Sequence, residues 1–353
     1  YPNFTAAFPE PGAGQRLVPA LVISPLMPYE TNGIARLREQ LARGRTNALR
    51  FVTGFNHLNL VQCEPVMRDI ADLHPWIAVE CGAMPARDIL DFTALFPDIP
   101  LVLANVTWPQ AIIAYDLMRR RPNIVLEISH VHTWEGIRHA VTNFGAARVV
   151  FGTGHATHNG APIAALARAK ISDSDRALIA HGNGVRLLGT STPASDASPL
   201  RAGNLYWRRL LEGHPLETDL IDAHGHLGPS AGYVIDIHGE REQITLALNA
   251  MDELGQSMMI LSGLQALLGS APAGNALLAE VLRPHAKRLK GYLSFNPFYD
   301  AELIKSFDHL FAGEVFIGFK ILCDYWRVPV TDQRFNPMWE YAQQHRLPVL
   351  IHT

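Results

Sequence analysis

A regular alternation of strand-like and helix-like segments constrains the fold of this chain more than any other feature. Between residues 17 and 188, short apolar runs bounded by turn residues alternate with amphipathic segments of helical periodicity. The six predicted strands of this half are residues 17–24, 48–53, 76–81, 101–106, 123–129 and 148–153. Such an alternation predicts a parallel sheet with helices outside. We interpret it as an α/β fold of the (β/α)8 TIM-barrel type.

The alternation stops after residue 188 and then starts again. A stretch rich in Ser, Thr, Pro and Ala, residues 190–201, is typical of a linker, and a charged helix is predicted over residues 206–211. Five more strands are predicted at residues 220–223, 257–262, 289–296, 316–322 and 348–352. We therefore expect the C-terminal part of one barrel over residues 1–189, a linker over 190–218, and the first five strands of a second barrel over 219–353.

The two halves resemble each other, and neither is predicted to be a complete barrel. At the ends of corresponding strands, Arg50 matches Lys320 and Glu80 matches His352. Because the chain starts without Met and stops directly after a predicted strand, we expect a fragment cut at both ends. The natural protein would then continue for about 100 residues or more. The alternative is one circularly permuted barrel, built from five strands of the second half and three of the first.

A pair of histidines follows the first predicted strand of the second half. His224 and His226 are two residues apart, and residues at this spacing in a strand point to the same side. Two neutral imidazoles side by side form a two-point ligand for a divalent metal. The alternative is that they are two unrelated histidines in a loop.

A third histidine, His352, ends the last predicted strand. In a barrel of this type the carboxyl ends of all strands open on one face, so the three imidazoles can converge there. Three imidazoles and a water are the pattern of a catalytic zinc site, in which the pKa of the water falls to about 7. The alternative for His352 is a place in a loop hydrogen-bond network.

Several longer segments carry a family resemblance. Those of the second half are LIDAHGHLGP, SFNPFYDAE, GFKILCDYW and NPMWEYAQQHRLPVLIHT, and those of the first are RVVFGTG and ISDSDRALIAHGNGVRLL. In this order they resemble the amidohydrolase superfamily, specifically the amidohydrolase-2 group of TIM-barrel metal-dependent hydrolases. The resemblance implies that His224, His226 and His352 are metal ligands from the first and fifth strands. It also implies a further histidine and a catalytic aspartate beyond Thr353, so the catalytic residues are unknown.

Four residues of the second half are candidate substrate-binding residues: Lys320, Asn296, Tyr325 and Arg327. For Lys320 three roles stay open: a carboxylated lysine that bridges two metals, as in some members of the superfamily; a contact to substrate or to an anion; and a structural salt bridge. Asp324 and Asp332 are expected to be turn and capping residues.

The first half departs from the family pattern. Where the resemblance implies metal ligands or a catalytic aspartate, the sequence has Glu80, Asn105 and Gly154. We therefore expect a degenerate barrel without metal. Its loop histidines lie at the same face, and they and Glu80 and Asn105 could bind a small ligand. These histidines are His130, His132, His155 and His158.

Composition narrows the function further. The formal net charge is −3, without a basic patch for nucleic acid, and no apolar run is long enough to span a membrane. The three cysteines form no CxxC pair, which indicates reduced thiols and a cytoplasmic protein. The expected function is a metal-dependent hydrolase, or a related non-oxidative decarboxylase, with one divalent ion, zinc, and a small carboxylate or amide-like substrate. A homo-oligomer is compatible with this. The alternative is a non-catalytic small-ligand-binding protein.

Overall fold

The computed structural model describes residues 18–44, 46–53, 58–131, 135–154, 160–189, 205–228 and 239–352. The chain divides into two compact units, Tyr1–Arg201 and Ala202–Thr353. No helix in the described ranges is long and apolar enough to cross a membrane.

The first unit contains a sheet of six parallel strands, each paired with the strand before it in the chain. The strands are β1 (Leu21–Ile23), β2 (Ala48–Phe51), β3 (Trp76–Glu80), β4 (Leu101–Ala104), β5 (Ile124–Glu127) and β6 (Val149–Val150). Parallel neighbours need a crossover segment between them, and this strand order is that of a barrel wall. The predicted α/β fold with a parallel sheet is confirmed.

Helices lie between these strands and after β6, and most of them pack against one face of the sheet. They are α1 (Gly33–Ala42), α2 (Glu64–Ile70), α3 (Ala86–Leu95), α4 (Ala111–Arg120), α5 (Gly136–Phe144), α6 (Gly160–Arg168), α7 (Asp173–Ala177) and α8 (Asn183–Leu188). A π-helical turn, Leu178–Gly182, joins α7 to α8. Ser172 caps α7, because its Oγ accepts a hydrogen bond of 3.1 Å from the Asp175 N–H.

The two faces of this sheet bury different residues. On the helix-covered face, strand residues such as Leu49, Ile77 and Leu103 join the main apolar core. On the other face a smaller cluster forms, in which Val125 and Leu187 of α8 are both buried. Because side chains alternate along a strand, each strand contributes to both faces.

The second unit contains a sheet of five parallel strands, again in chain order. They are β7 (Leu220–Leu227), β8 (Gln256–Gly263), β9 (Leu289–Ser294), β10 (Phe316–Leu322) and β11 (Val349–His352). The helices are α9 (Leu205–Leu211), α10 (Glu240–Leu254), α11 (Leu264–Leu268), α12 (Ala271–Leu282), α13 (Phe307–Phe311) and α14 (Asn336–His345).

Aromatic side chains dominate the core between this sheet and its helices. The Phe319 ring is fully buried, with centroids 5.0 Å from Phe307 and 4.9 Å from Phe311. Ile321 belongs to the same core. Lys320 lies between Phe319 and Ile321 on β10. Because side chains alternate along a strand, its side chain points to the opposite face of the sheet.

Several predicted boundaries differ from the structure, and the end of β7 is one of them. The strand predicted to end at residue 223 continues to Leu227, because Gly225 and His226 pair with Leu261 and Ser262 of β8. Residues 301–311 form a 3-10 helix, Ala301–Ser306, followed by the short α13. At the end of β7 the pairing with β8 outweighs the local signal of His-Gly-His, which resembles a turn.

Candidate active site

The two neighbouring histidines lie on strand β7 rather than in a loop after it. The centroids of the His224 and His226 rings are 5.1 Å apart, and the rings meet at 64°. The pairing with β8 shifts its register between Asp222 and Gly225, which marks a β-bulge next to His224. Asp222 supports this bulge, since its Oδ1 accepts a hydrogen bond of 2.9 Å from the His224 N–H. The strand therefore holds both rings side by side.

Both rings are neutral at neutral pH. Burial lowers the pKa of His226 to about 4, with smaller contributions from His224, Lys320 and His352. Burial also lowers the pKa of His224, and Lys320 adds to this effect. Within the described ranges neither imidazole has a hydrogen-bond partner. A neutral imidazole with a free lone pair is the form that binds a metal ion, so the donor chemistry fits one.

His352, at the end of β11, is near this pair but differently placed. Its ring packs edge-on against Tyr325, with centroids 5.1 Å apart, and its Nε2 lies 3.7 Å from Asp324 Oδ2. It contributes to the lowered pKa of both His224 and His226, which indicates that the three rings are in electrostatic range.

The three histidines do not form a closely set ligand group. In the part of the chain that the structure describes, no three or more His, Cys, Asp or Glu side chains are arranged to hold a metal ion. The structure thus brings two of the three predicted ligands into contact. The third lies beside Asp324.

Lys320, a candidate substrate-binding residue, is fully buried, and its Nζ has no hydrogen-bond partner in the described part of the chain. Burial lowers its pKa, and Asp324 acts in the opposite direction. Among the described residues Lys320 makes no ion pair, so the structural salt bridge among its three suggested roles is not formed. Buried amines without a partner are unusual, and this one indicates a ligand or a catalytic role.

The other three substrate-binding candidates lie in loops. The Asn296 side chain is engaged in a turn, where its Oδ1 accepts a hydrogen bond of 3.0 Å from the Phe298 N–H. Arg327 is exposed and has a left-handed backbone, with φ of 51°. Tyr325 is exposed and touches His352. Of the three, only Tyr325 has a described contact with one of the site histidines.

The two aspartates of the second unit differ in role. Asp332 is a capping residue, as predicted, because its side chain accepts a hydrogen bond of 3.0 Å from the Arg334 N–H at the start of a 3-10 helix. Asp324 closes a turn through its carbonyl oxygen, which accepts a hydrogen bond of 3.2 Å from the Arg327 N–H. Its carboxylate also faces His352, a position that the turn assignment alone does not explain.

The corresponding edge of the first unit carries a different polar cluster. Glu80 forms an ion pair with Arg50 on the neighbouring strand. Glu127 is buried and accepts hydrogen bonds of 2.6 Å from the Ser129 N–H and 2.7 Å from its Oγ. A longer bond of 3.3 Å comes from the Asn105 N–H. These carboxylates are occupied by protein donors.

Gly154 stands where the resemblance implies an aspartate, and the structure leaves no room for one. Its φ is +63°, and a Cβ at this position would lie 2.8 Å from His130 Cε1 and Ser129 Oγ, and 2.9 Å from Asn105 Oδ1. Such distances are too short for any side chain. Of the loop histidines only His130 is described; the other three, His132, His155 and His158, lie outside the described residues.

Two residues that the sequence analysis missed share a sheet face with Lys320. They are Ser262 on β8 and Tyr292 on β9, paired in register. Both are buried, and Ser262 Oγ has no hydrogen-bond partner within the described ranges. Neither lies in a recognisable motif, so only the pairing of the strands identifies them.

The fold and these strand-end clusters define a parallel α/β protein with polar sites at the carboxyl edges of its sheets. A family model described as amidohydrolase matches residues 16–190. Over this segment, which lies in the first unit, the chain is similar to the amidohydrolase family. The matched segment excludes His224 and His226.

Two solved structures are similar to part of the chain. One is a 5-carboxyvanillate decarboxylase from Sphingomonas paucimobilis, with 17% identity, a TM-score of 0.38, and coverage of 48% of this chain and 66% of that one. The other is a 5-carboxyvanillate decarboxylase from Novosphingobium aromaticivorans, with 15% identity, a TM-score of 0.29, and coverage of 38% of this chain and 51% of that one. The latter held bound manganese and 3-methoxy-4-hydroxy-5-nitrobenzoic acid. The matches thus span about half to two thirds of these enzymes. No curated protein matches the chain.

Proposed function

We propose that this protein is a metal-dependent hydrolase, or a related non-oxidative decarboxylase, that acts on a small carboxylate or amide-like molecule. The observation that carries the proposal is the contact between two neutral imidazoles, His224 and His226, on one strand of a parallel sheet. The similarity of residues 16–190 to the amidohydrolase family supports the same reaction class. The proposed partner is a small-molecule substrate, with no nucleic acid and no membrane involved, and the protein would work in the cytoplasm, as a monomer or a homo-oligomer.

One divalent ion would be held by His224 and His226, with His352 as the third ligand. Imidazole ligands suit zinc, which is the ion we propose. When bound, such an ion would supply Lewis-acid catalysis or activate water at neutral pH.

We propose that His352 joins the pair by a movement of its side chain. Residues Leu322 and His352 are paired in register, so His352 lies on the same sheet face as Lys320, two residues before Leu322. At 3.7 Å, the distance from its Nε2 to Asp324 Oδ2 is too long for a hydrogen bond. No hydrogen bond therefore has to break when the ring turns, and Asp324 is placed to hold the ring from outside afterwards.

The other residues would bind and orient the substrate. Lys320 has a free buried amine on the histidine-bearing face, and Tyr325 borders His352 at the strand ends. We propose that Asn296 and Arg327 act from their loops, at the rim. Each of these groups is a donor, which favours a substrate that carries oxygen acceptors.

A non-catalytic ligand-binding protein is the second candidate. The absence of a closely set group of three metal ligands in the described residues favours it, as does the filled space at Gly154. In that case the polar clusters would bind a small molecule without turnover.

Metal content separates the two candidates. The purified chain and its His224→Ala variant are analysed by elemental mass spectrometry after incubation with zinc and gel filtration. We expect about one ion per chain in the parent protein and a loss of most of it in the variant. His309→Ala, at an exposed position of the same unit, is the matched control and should retain the ion. A parent protein without metal, or equal content in His224→Ala, would refute the metal site.

A further inference from the structure

The face of the second sheet opposite its helices carries a row of buried polar side chains. Ser262 pairs in register with Tyr292, and Ser294 with Lys320, and residues paired in this way in parallel strands point to the same side. Tyr292 and Ser294 are two residues apart on β9, so all four share one face. All four are buried, with exposed fractions of 0% for Ser262, 5% for Tyr292, 1% for Ser294 and 0% for Lys320.

Two members of this row have no partner for their polar atoms. Ser294 Oγ donates a hydrogen bond of 3.2 Å to the Ala266 carbonyl. In contrast, Ser262 Oγ and Lys320 Nζ are buried without a hydrogen bond to any residue that the structure describes. Buried donors are almost always satisfied in folded proteins, and an unpaired one costs free energy. Two unpaired donors on one face, on strands separated only by β9, indicate a binding site that the described residues do not fill.

We propose that Lys320 Nζ and Ser262 Oγ form a subsite for one carboxylate group of the bound molecule. Strands lie about 4.8 Å apart, and Lys320 is two residues further along the sheet than Ser262, so about 12 Å separates the two residues at the backbone. The flexible four-carbon side chain of Lys320 can reach across about half of this gap toward Ser262, which leaves room for a bridging group. An ammonium and a hydroxyl can then each donate to one oxygen of the same carboxylate.

The charges around the subsite favour a single negative charge. Asp324 is the carboxylate whose charge raises the pKa of Lys320. The histidines on the same sheet face are His224, His226 and His352. A carboxylate would neutralise the buried ammonium with one charge. A phosphate dianion would bring two, and one lysine and one hydroxyl supply too few donors for its oxygens.

The subsite also has a defined place relative to the histidines. His226 is in register with Ser262, so the carboxylate would sit one strand away from the proposed metal ligands. This position places the carboxylate beside the reacting centre rather than at the rim, and so adds to the proposed function. The subsite rests on that function for the substrate class. The binding of the carboxylate itself does not require a metal ion.

Calorimetric titration of the metal-free full chain tests the proposal. The probes are benzoate, benzamide as its neutral counterpart, and inorganic phosphate. We expect benzoate to bind about tenfold or more tightly than benzamide, and phosphate more weakly than benzoate. Lys320→Met should abolish the preference for benzoate, and Ser262→Ala should reduce it. Lys290→Met is the matched control, because Lys290 on β9 donates to the Glu314 carbonyl instead of facing an unfilled site.

Thermal melting distinguishes a binding lysine from a structural one. If Lys320 holds a ligand, Lys320→Met replaces an unpaired buried amine by an apolar side chain of similar length, and Tm should stay equal or rise. A structural lysine would lower Tm on substitution. Ser262→Ala removes one buried atom and gives a second, independent measurement of benzoate binding.

Four results would overturn the subsite. They are equal affinity for benzoate and benzamide in the parent protein, a preference for phosphate, unchanged benzoate binding in both variants, and a fall in Tm with Lys320→Met. The titration uses metal-free protein. A parent protein that binds no zinc would therefore refute the metal site alone, and the result for the carboxylate subsite would still hold.

Discussion

The rings of His224 and His226 lie 5.1 Å apart on strand β7, and the strand continues past both of them to Leu227. This placement differs from a pair of histidines in a loop, because pairing with β8 fixes the backbone at Gly225 and His226. A site built on a strand holds its side chains more firmly than one built on a loop. The pair is therefore already positioned before any ion binds.

Removal of either histidine ring of this pair should strongly weaken the affinity for the metal ion. For His226→Ala we expect a weaker zinc affinity by more than the about 10–100-fold typical of a lost outer-shell partner. If His352 is the third ligand, His352→Ala should weaken binding to a similar extent. The measurement is competition for zinc with a chromophoric chelator. Unchanged affinity in His352→Ala would remove it from the ligand set and leave a two-histidine site.

The first unit should not depend on metal. Glu80→Ala breaks the ion pair with Arg50, and both side chains are partly exposed, so the loss of stability should be about 0.2–1 kcal/mol. Asn105→Ala should likewise leave the metal content unchanged, because its described bond to Glu127 comes from the backbone. Elemental analysis of both variants beside His224→Ala provides the check. Metal loss in Glu80→Ala with retention in His224→Ala would reverse the assignment of the two units.

The sequence predicted the strands and their order well, because buried parallel strands are continuous apolar runs that stand out from the helices between them. It failed at the end of β7, where Gly225 and two histidines carry no strand propensity but pair with β8. Lys320 was predicted as a site residue from its position at a strand end. Ser262 was missed, since an unpaired hydroxyl is recognisable only once the neighbouring strands are in place.

Gly154→Asp tests whether the missing aspartate could be restored. The substitution should destabilise the protein, because Gly154 has φ of +63° and is surrounded by His130, Ser129 and Asn105. Gly44→Asp is a matched control with φ of +68° and nothing within 4 Å. Its cost should be limited to the backbone term of about 1–2 kcal/mol. Urea denaturation should show a larger loss at residue 154 than at 44. Equal losses would mean that the cluster around Gly154 gives way easily and that an aspartate fits.

The core of the second unit should depend strongly on Phe319. Its ring is fully buried against Phe307 and Phe311, at centroid distances of 5.0 and 4.9 Å. Phe319→Ala therefore leaves a cavity between the sheet and its helices. We expect a loss of about 3–5 kcal/mol in the free energy of unfolding. Tyr299→Ala, at an 85% exposed position of the same unit, should cost about 0.5 kcal/mol or less. Urea denaturation followed by circular dichroism measures both. A loss of under about 1 kcal/mol for Phe319→Ala would show that this aromatic cluster is not the core of the second unit.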